Sequence, residues 1–151
     1  VQEAREKYRR CLRASPGHVW SLLRLGQLCE MENRLGQAGR YYKQAAMSEE
    51  GGVAARRALA RICLARNRAG EARELLQEAL RLEPNDAGTL TMLARIYSDS
   101  GEDPELAELF ARQGVAASPL RKASWLELGR VYKARGKEKE ARDVLVRAAN
   151  L

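Results

Sequence analysis

Residues 22–29 read LLRLGQLC, and the pattern of this stretch returns three more times along the 151-residue chain. Its centre is a Leu followed by a small residue, Leu25-Gly26, which recurs at steps of 34, 34 and 35 residues as Leu59-Ala60, Leu93-Ala94 and Leu128-Gly129. A second column stands four positions after each Leu and holds Cys29, Cys63, Tyr97 and Tyr132. A fixed period of this length indicates helix pairs that stack along the chain.

Further columns repeat with the same period. A bulky residue precedes the Leu by three positions in three of the four copies, while Arg56 breaks this column: Leu22, Leu90 and Trp125. Small residues recur downstream in two columns: Ala38, Ala72, Ala107 and Ala141, then Ala45, Ala79, Gly114 and Ala148. This combination of columns resembles the tetratricopeptide repeat family, and the resemblance covers nearly the whole chain.

The resemblance implies an all-α fold, a right-handed α-solenoid of stacked antiparallel helix pairs. The residues agree with it, because small side chains recur where two helices must approach closely and larger apolar ones fill the space beside them. No single repeat buries its apolar stripe alone, so the core must be continuous between neighbouring repeats.

The columns predict a single array over residues 1–151. A half repeat, consisting of the second helix only, occupies residues 1–18, and full repeats occupy 19–52, 53–86 and 87–121, the last with a one-residue insertion near Gly101. The final repeat, 122–151, stops two residues short of the closing Pro column. We therefore expect the chain to be a section of a longer array.

The helix-breaking residues Gly, Asn and Pro indicate where the helices begin and end. First helices are expected over 18–31, 53–65, 87–99 and 121–134, and second helices over 2–14, 35–48, 69–82, 104–117 and 138–150. Tight turns are expected inside each pair, at Asn33-Arg34, Asn67-Arg68, Ser100-Gly101 and Arg135-Gly136. Asp103 is expected to cap the helix that Pro104 opens.

Composition limits the setting of the protein. Charged residues make up 31% of the chain, the formal net charge is +7, and no apolar run approaches the roughly 18 residues of a membrane span. We therefore expect no membrane insertion. The three cysteines, Cys11, Cys29 and Cys63, occupy core columns, which predicts packed, reduced thiols and favours a cytoplasmic protein. A soluble part of a membrane or export system is the alternative.

Catalytic chemistry finds little support in these residues. The single histidine, His18, lies in a predicted turn beside Gly17, and the chain has neither a Gly-rich phosphate loop nor a Cys-x-x-Cys pair. We predict that the protein is not an enzyme and uses no cofactor, metal or small-molecule substrate.

The predicted site is a groove on the first helices. The residue after each Leu-Gly or Leu-Ala pair is Gln27, Arg61, Arg95 and Arg130, which predicts a ladder of arginines suited to carboxylates or phosphates. Four residues earlier stand Leu23, Arg57, Thr91 and Leu126, and we expect Trp20, Leu64 and Lys133 nearby. Two alternatives stay open: the arginines form a solvated face paired with acidic residues, or Trp20 covers the preceding half repeat.

Function follows from the resemblance. Tetratricopeptide arrays are usually scaffolds that hold another protein's peptide in the concave groove, and the arginines favour an acidic segment, extended or helical. The positions that grip chaperone C-termini in one subclass do not match this chain, where one register gives Leu23, Gln27, Ala58, Gly88 and Met92. The alternative is a structural segment of a larger assembly, or of an export or secretion complex, which works by repeat stacking or self-association. RNA binding is less favoured because few aromatic residues offer stacking surfaces.

Overall fold

The computed structural model describes residues 2–151, and the regular structure within this range is helical. In chain order the helices are α1 (Gln2–Ala14), α2 (Val19–Met31), α3 (Leu35–Ala46), α4 (Gly52–Ala65), α5 (Ala69–Leu82), α6 (Ala87–Ser100), α7 (Pro104–Ala117), α8 (Lys122–Ala134) and α9 (Glu138–Ala149). The predicted all-α fold is confirmed, and every helix end lies within two residues of its expected position. The chain divides into two compact units between Leu82 and Glu83.

The first unit contains α1 to α5. Each helix packs on the next one in the chain, so α1 contacts α2, α2 contacts α3, α3 contacts α4 and α4 contacts α5. The core between α2, α3 and α4 contains the column residues Cys29, Ala38 and Leu59, together with Tyr42, Ala58 and Ile62.

The second unit contains α6 to α9. Here α6 packs on α7, α7 on α8 and α8 on α9, and α6 also packs directly against α8. The core is built from Ala94, Ala107, Ala111, Leu128 and Val131. In the first unit α2 and α4 lack a contact comparable to that of α6 with α8.

The turns within the helix pairs have left-handed backbone at the predicted places. Asn33 and Asn67 have φ 57°, while Gly101 and Gly136 have φ 66° and 70°. Asn and Gly are the residues that adopt this conformation most readily, which explains their recurrence one repeat apart.

Side-chain caps begin three of the helices. As predicted, the Asp103 carboxylate accepts from Leu106 N at 2.9 Å and Pro104 opens α7. Asp86 caps α6 by accepting from Thr89 N at 2.7 Å. His18 caps α2, where Nδ1 accepts from Ser21 N at 3.3 Å, so the turn position expected for this residue has a structural role.

A close helix approach explains the Leu-Gly column. A Cβ atom at Gly26 on α2 would lie 2.3 Å from a ring carbon of Tyr42 on α3. In the second unit a Cβ at Gly129 on α8 would lie 2.7 Å from the Leu145 side chain on α9. At these two positions a side chain of the paired helix, the buried Tyr42 or the half-buried Leu145, occupies the space that a Cβ atom would take.

Ion pairs tie one helix to the turn that follows the next helix. In the first unit the buried Arg5 of α1 pairs with Glu32, directly after α2. In the second unit Glu108 of α7 pairs with Arg135, directly after α8, and accepts from Lys137 Nζ at 2.7 Å. The two ties occupy corresponding positions in the repeat, with the charges exchanged.

One cysteine departs from its expected environment. Cys29 is buried and Cys63 half-buried, and burial raises the pKa of both thiols, whereas Cys11 is exposed. The prediction of a packed Cys11 was wrong because α1 has its neighbour α2 on one side only within this unit. Among residues 2–151 no helix has the length and apolar character that a membrane crossing needs.

Replacing Gly26 with Ala is expected to lower the free energy of unfolding by roughly 1–3 kcal/mol, because the added methyl group overlaps the Tyr42 ring. Gly70→Ala is the control: no atom lies within 4 Å of its ideal Cβ, and alanine is favoured over glycine in a helix by up to about 1 kcal/mol. Urea unfolding of both variants gives the comparison. Equal stability of the two variants would contradict the close approach.

Acid is expected to weaken the tie at Glu108. Burial opposes ionisation of this carboxyl, but Lys137 and Arg135 outweigh it and hold its pKa below the ordinary value. The group therefore stabilises the fold above its unfolded pKa of about 4.3, and this contribution is lost as the pH falls through the folded pKa. Glu108→Gln should cost roughly 2 kcal/mol near neutral pH and flatten the acid limb of a pH series of urea unfolding curves. The exposed Glu140→Gln should change stability by less than about 0.5 kcal/mol, and an unchanged acid limb in Glu108→Gln would contradict the assignment.

Candidate functional site

A cavity of about 290 Å³ lies between α2 and α4 in the first unit. It brings together five of the predicted groove residues, with four that were not predicted to line the groove: Trp20, Leu23, Gln27, Arg57 and Arg61, then Arg24, Tyr42, Ala54 and Ala58. The backbones of α2 and α4 approach each other less closely than those of α6 and α8.

The cavity has an apolar edge. Trp20 is 66% exposed and lines the cavity, so it does not serve as a cover for α1. Leu23 is half-buried and packs on the core that contains Tyr42 and Ala58. The two side chains offer a hydrophobic surface that water contacts in the free protein.

A three-residue polar network links the helices at the base of the cavity. The fully buried Tyr42 donates its hydroxyl hydrogen to Glu30 of α2, and Arg61 of α4 donates to the same carboxylate oxygen at 3.0 Å. Burial and the neighbouring Glu30 carboxylate raise the pKa of Tyr42, so the hydroxyl remains a donor. The network fixes the Arg61 side chain at the wall of the cavity.

Positive charge predominates in this cavity. Its lining contains three arginines, Arg24, Arg57 and Arg61, and no carboxylate among its described residues. Glu30 balances the charge of Arg61, and Arg24 donates to the Gln27 side chain at 3.0 Å. The cavity therefore combines apolar surface, a primary amide and guanidinium groups, a set that suits a segment with carboxylates beside an apolar side chain.

The arginines predicted for the second unit have acidic partners. Arg130 pairs with Asp99 at 2.6 Å and with Glu127 at 2.7 Å, and Arg95 lies 3.4 Å from the same Glu127. Although burial opposes it, hydrogen bonds to Glu127 and Asp99 raise the pKa of Arg130. In this unit Arg95 and Arg130 thus follow the alternative in which the arginines pair with acidic residues. These ion pairs hold α6 and α8 together.

The remaining predicted residues have separate environments. Thr91 donates to Ala87 O at 2.6 Å and lies 3.2 Å from Ser124 Oγ, so its hydroxyl is used within α6 and against α8. Leu126 is 46% exposed. Lys133 lines a cavity between α8 and α9, while Leu64 is half-buried outside the α2–α4 cavity.

The repeat columns do not predict the acidic members of these networks. Neither Glu30 nor Glu127 belongs to a repeated column. Glu30 directly follows Cys29, and Glu127 directly precedes Leu128. Their spacing does give one indication. Glu30 lies one helical turn from Gln27 and Glu127 lies one helical turn from Arg130, so each glutamate shares a helix face with a predicted groove residue.

Residues 22–151 match the family model of the Cilia and flagella-associated protein 70 middle TPR-like domain. No curated protein matches this sequence. Proteins of tetratricopeptide fold generally mediate protein–protein interaction or assembly and are generally scaffolds without enzymatic activity.

Several solved structures share the fold at low sequence identity. MamA has a TM-score of 0.71 and 22% identity, over 97% of this chain and 85% of that chain. The Cut9–Hcn1 hetero-tetramer of the APC/C has a TM-score of 0.82 and 18% identity, over 97% of this chain and 29% of that one. Pseudomonas aeruginosa pilF has a TM-score of 0.73 and 19% identity, over 95% of this chain and 63% of that one.

Tyr42→Phe is expected to lower the free energy of unfolding by about 2 kcal/mol, because the ring still fills its space while Glu30 loses a buried donor. Tyr41→Phe, at a half-buried position next to it, is the matched control and should change stability by less than about 0.5 kcal/mol. Thermal and urea unfolding measure both. Equal effects of the two variants would show that the Tyr42 hydroxyl carries no stabilising bond.

Proposed function

The chain belongs to the family of the Cilia and flagella-associated protein 70 middle TPR-like domain, and from this premise we propose that it is a scaffold that holds an acidic segment of another protein. The proposed binding site is the α2–α4 cavity of the first unit. The observation that carries the proposal is the convergence of Trp20, Leu23, Gln27, Arg57 and Arg61 on one cavity.

The chemistry of the lining supports an acidic ligand with an apolar side chain. Arg57 and Arg24 supply guanidinium groups that pair with carboxylates through two parallel hydrogen bonds. Trp20 supplies a large ring, and partly exposed aromatic residues are frequent anchors of protein interfaces. Gln27 offers an amide that is suited to the backbone of an extended segment.

We place the binding site in the first unit only. Arg95 and Arg130 already pair with Glu127 and Asp99, so an acidic ligand there has to displace internal partners. The α2–α4 cavity has no carboxylate among its described lining residues, and we therefore place the acidic ligand there. The family description directs the search for the partner to proteins of cilia and flagella.

A role in assembly through self-association is the second candidate. A cavity along α8 and α9 is lined by Leu145, Val146 and Ala149, and Val146 is 57% exposed. Such an apolar surface is suited to contact between protein chains. RNA binding remains less favoured, because Trp20 is the single exposed aromatic side chain among residues 2–151 and successive bases need successive rings.

The proposal is tested with three variants as bait in affinity capture from extract of ciliated cells. Arg24→Gln/Arg57→Gln removes two charges from the cavity, Trp20→Ala removes the ring, and Arg10→Gln/Arg112→Gln removes two exposed charges elsewhere. A partner that is retained by the wild type and the control should be reduced at least about tenfold in both cavity variants, because each loses an interaction that the ligand needs.

The captured protein is then examined at the level of peptides. Fluorescence anisotropy with its acidic segments should give the same order of affinities, and the mass of the free protein by light scattering tests self-association. Equal capture by all three variants would exclude the α2–α4 cavity as the binding site. A mass that rises above 16.9 kDa with concentration would favour the assembly role.

A further inference from the structure

A second cavity, of about 480 Å³, lies in the first unit between α3, α4 and α5. Its floor is apolar and is formed by Leu35, Leu59, Ile62 and Leu75. Gly36 and Gly39 border it on α3, one helical turn apart. A Cβ atom at Gly39 would meet nothing within 4 Å, so neither a close approach nor the backbone requires glycine at this helix position.

The repeat itself shows which side chains are absent here. Gly39 directly follows the small residue Ala38. The residues at the same position of the repeat in α1 and α7 are Arg5 and Glu108, and both of them form the ionic tie. The partners of these two residues, Glu32 and Arg135, stand seven positions after the Leu of the next first helix. The residue at that position in the α4 repeat is Arg66.

The second unit gives the complete version of the tie. Glu105 and Glu108 both pair with Arg135, with the Glu105 oxygen at 2.8 Å, and Lys137 adds a bond to Glu108. By position in the repeat, Gly36 and Gly39 replace these two glutamates, while the basic residues remain as Arg66 and Arg68. The Arg66 guanidinium lies 4.0 Å from the ideal Cβ of Gly36, so the corresponding groups do face each other.

The cavity therefore retains unbalanced positive charge. Arg68 pairs with Glu71 at 2.5 Å, and Glu78 pairs with Arg56 at 3.0 Å. Arg66 forms no ion pair with any residue in 2–151, and the same holds for Arg40 and Lys43 of α3, which line the cavity beside it. Of the lining carboxylates, Glu74 on α5 opposes them without an ion pair of its own in the described part of the chain.

We propose that this cavity is a second protein-binding surface, which takes an amphipathic helix of a partner that presents two carboxylates one turn apart to Arg66 and its neighbours. The partner supplies in trans the two glutamates that α7 supplies within the second unit. An apolar side chain of the same helix contacts the Leu59 and Ile62 floor, and the edge of the helix that faces Glu74 is basic or neutral. This surface is separate from the α2–α4 cavity and does not depend on the function proposed for it.

The first test supplies the absent carboxylates within the chain. Gly36→Glu/Gly39→Glu should have a higher Tm than Gly36→Gln/Gly39→Gln, because the two pairs of side chains have similar size and helix propensity and differ in charge. The difference should become smaller when Arg66→Gln is added to both, since Arg40 and Lys43 remain in the cavity lining. If the Glu and Gln variants have equal Tm values while Arg66 is retained, the proposal is overturned. That result would show that carboxylates at positions 36 and 39 do not reach the arginine.

The second test measures binding of a probe. The probe is a fluorescein-labelled, lactam-stapled helical peptide with two Glu residues three positions apart beside one Leu and Lys on the opposite edge, compared with a peptide that has Gln at both Glu positions. The wild type should bind the Glu peptide at least about tenfold more tightly, and Arg66→Gln and Gly36→Glu/Gly39→Glu should each remove this preference. Gly39→Ala and Arg24→Gln/Arg57→Gln are controls that should keep it.

Each outcome of the second test either supports or overturns the proposed binding surface. Equal affinity of the wild type for the Glu and Gln peptides, or unchanged binding in Arg66→Gln, overturns the proposal. Loss of binding in Arg24→Gln/Arg57→Gln alone assigns the probe to the α2–α4 cavity and also overturns it. Failure of the function proposed for that cavity leaves these results unaffected.

Discussion

The close approach of paired helices at the Leu-Gly column is the constraint on which the first unit depends. The Tyr42 ring of α3 lies across Gly26 of α2, and the Tyr42 hydroxyl donates to Glu30, which is also on α2. Because Glu30 also accepts from Arg61, one contact between α2 and α3 fixes a side chain of α4. The apolar packing and the α2–α4 cavity thus share a residue, and a change in the core is transmitted to the lining of the cavity.

The local charge balance differs between the two units. The second unit uses Arg95 and Arg130 to neutralise the buried Glu127, so these arginines stabilise the fold. In the first unit the described lining of the α2–α4 cavity contains Arg24 and Arg57 beside the exposed Trp20 and no carboxylate. The arginines of the second unit therefore serve packing, whereas we propose that those lining the α2–α4 cavity serve binding.

The ionic ties between helices show how a repeat protein varies one interaction. Arg5 with Glu32 and Glu108 with Arg135 are the same tie with exchanged charges, which preserves the attraction. At Gly39 the tie is absent while Arg66 remains. A position that stabilises neighbouring helices in one repeat thus carries no side chain in another, and the glycine there lowers helix propensity without a packing reason.

The sequence by itself determined the helices, their pairing and most of the core, because a period of 34 residues and the alternation of Leu with small residues are local properties of the chain. It also placed Trp20, Leu23, Gln27, Arg57 and Arg61 on one surface. It did not reveal that Cys11 is exposed or that Glu30, Glu127 and Asp99 neutralise three of the arginines. Those features depend on which side chains of different helices meet across about 30 residues of sequence, and only the tertiary structure decides such distances.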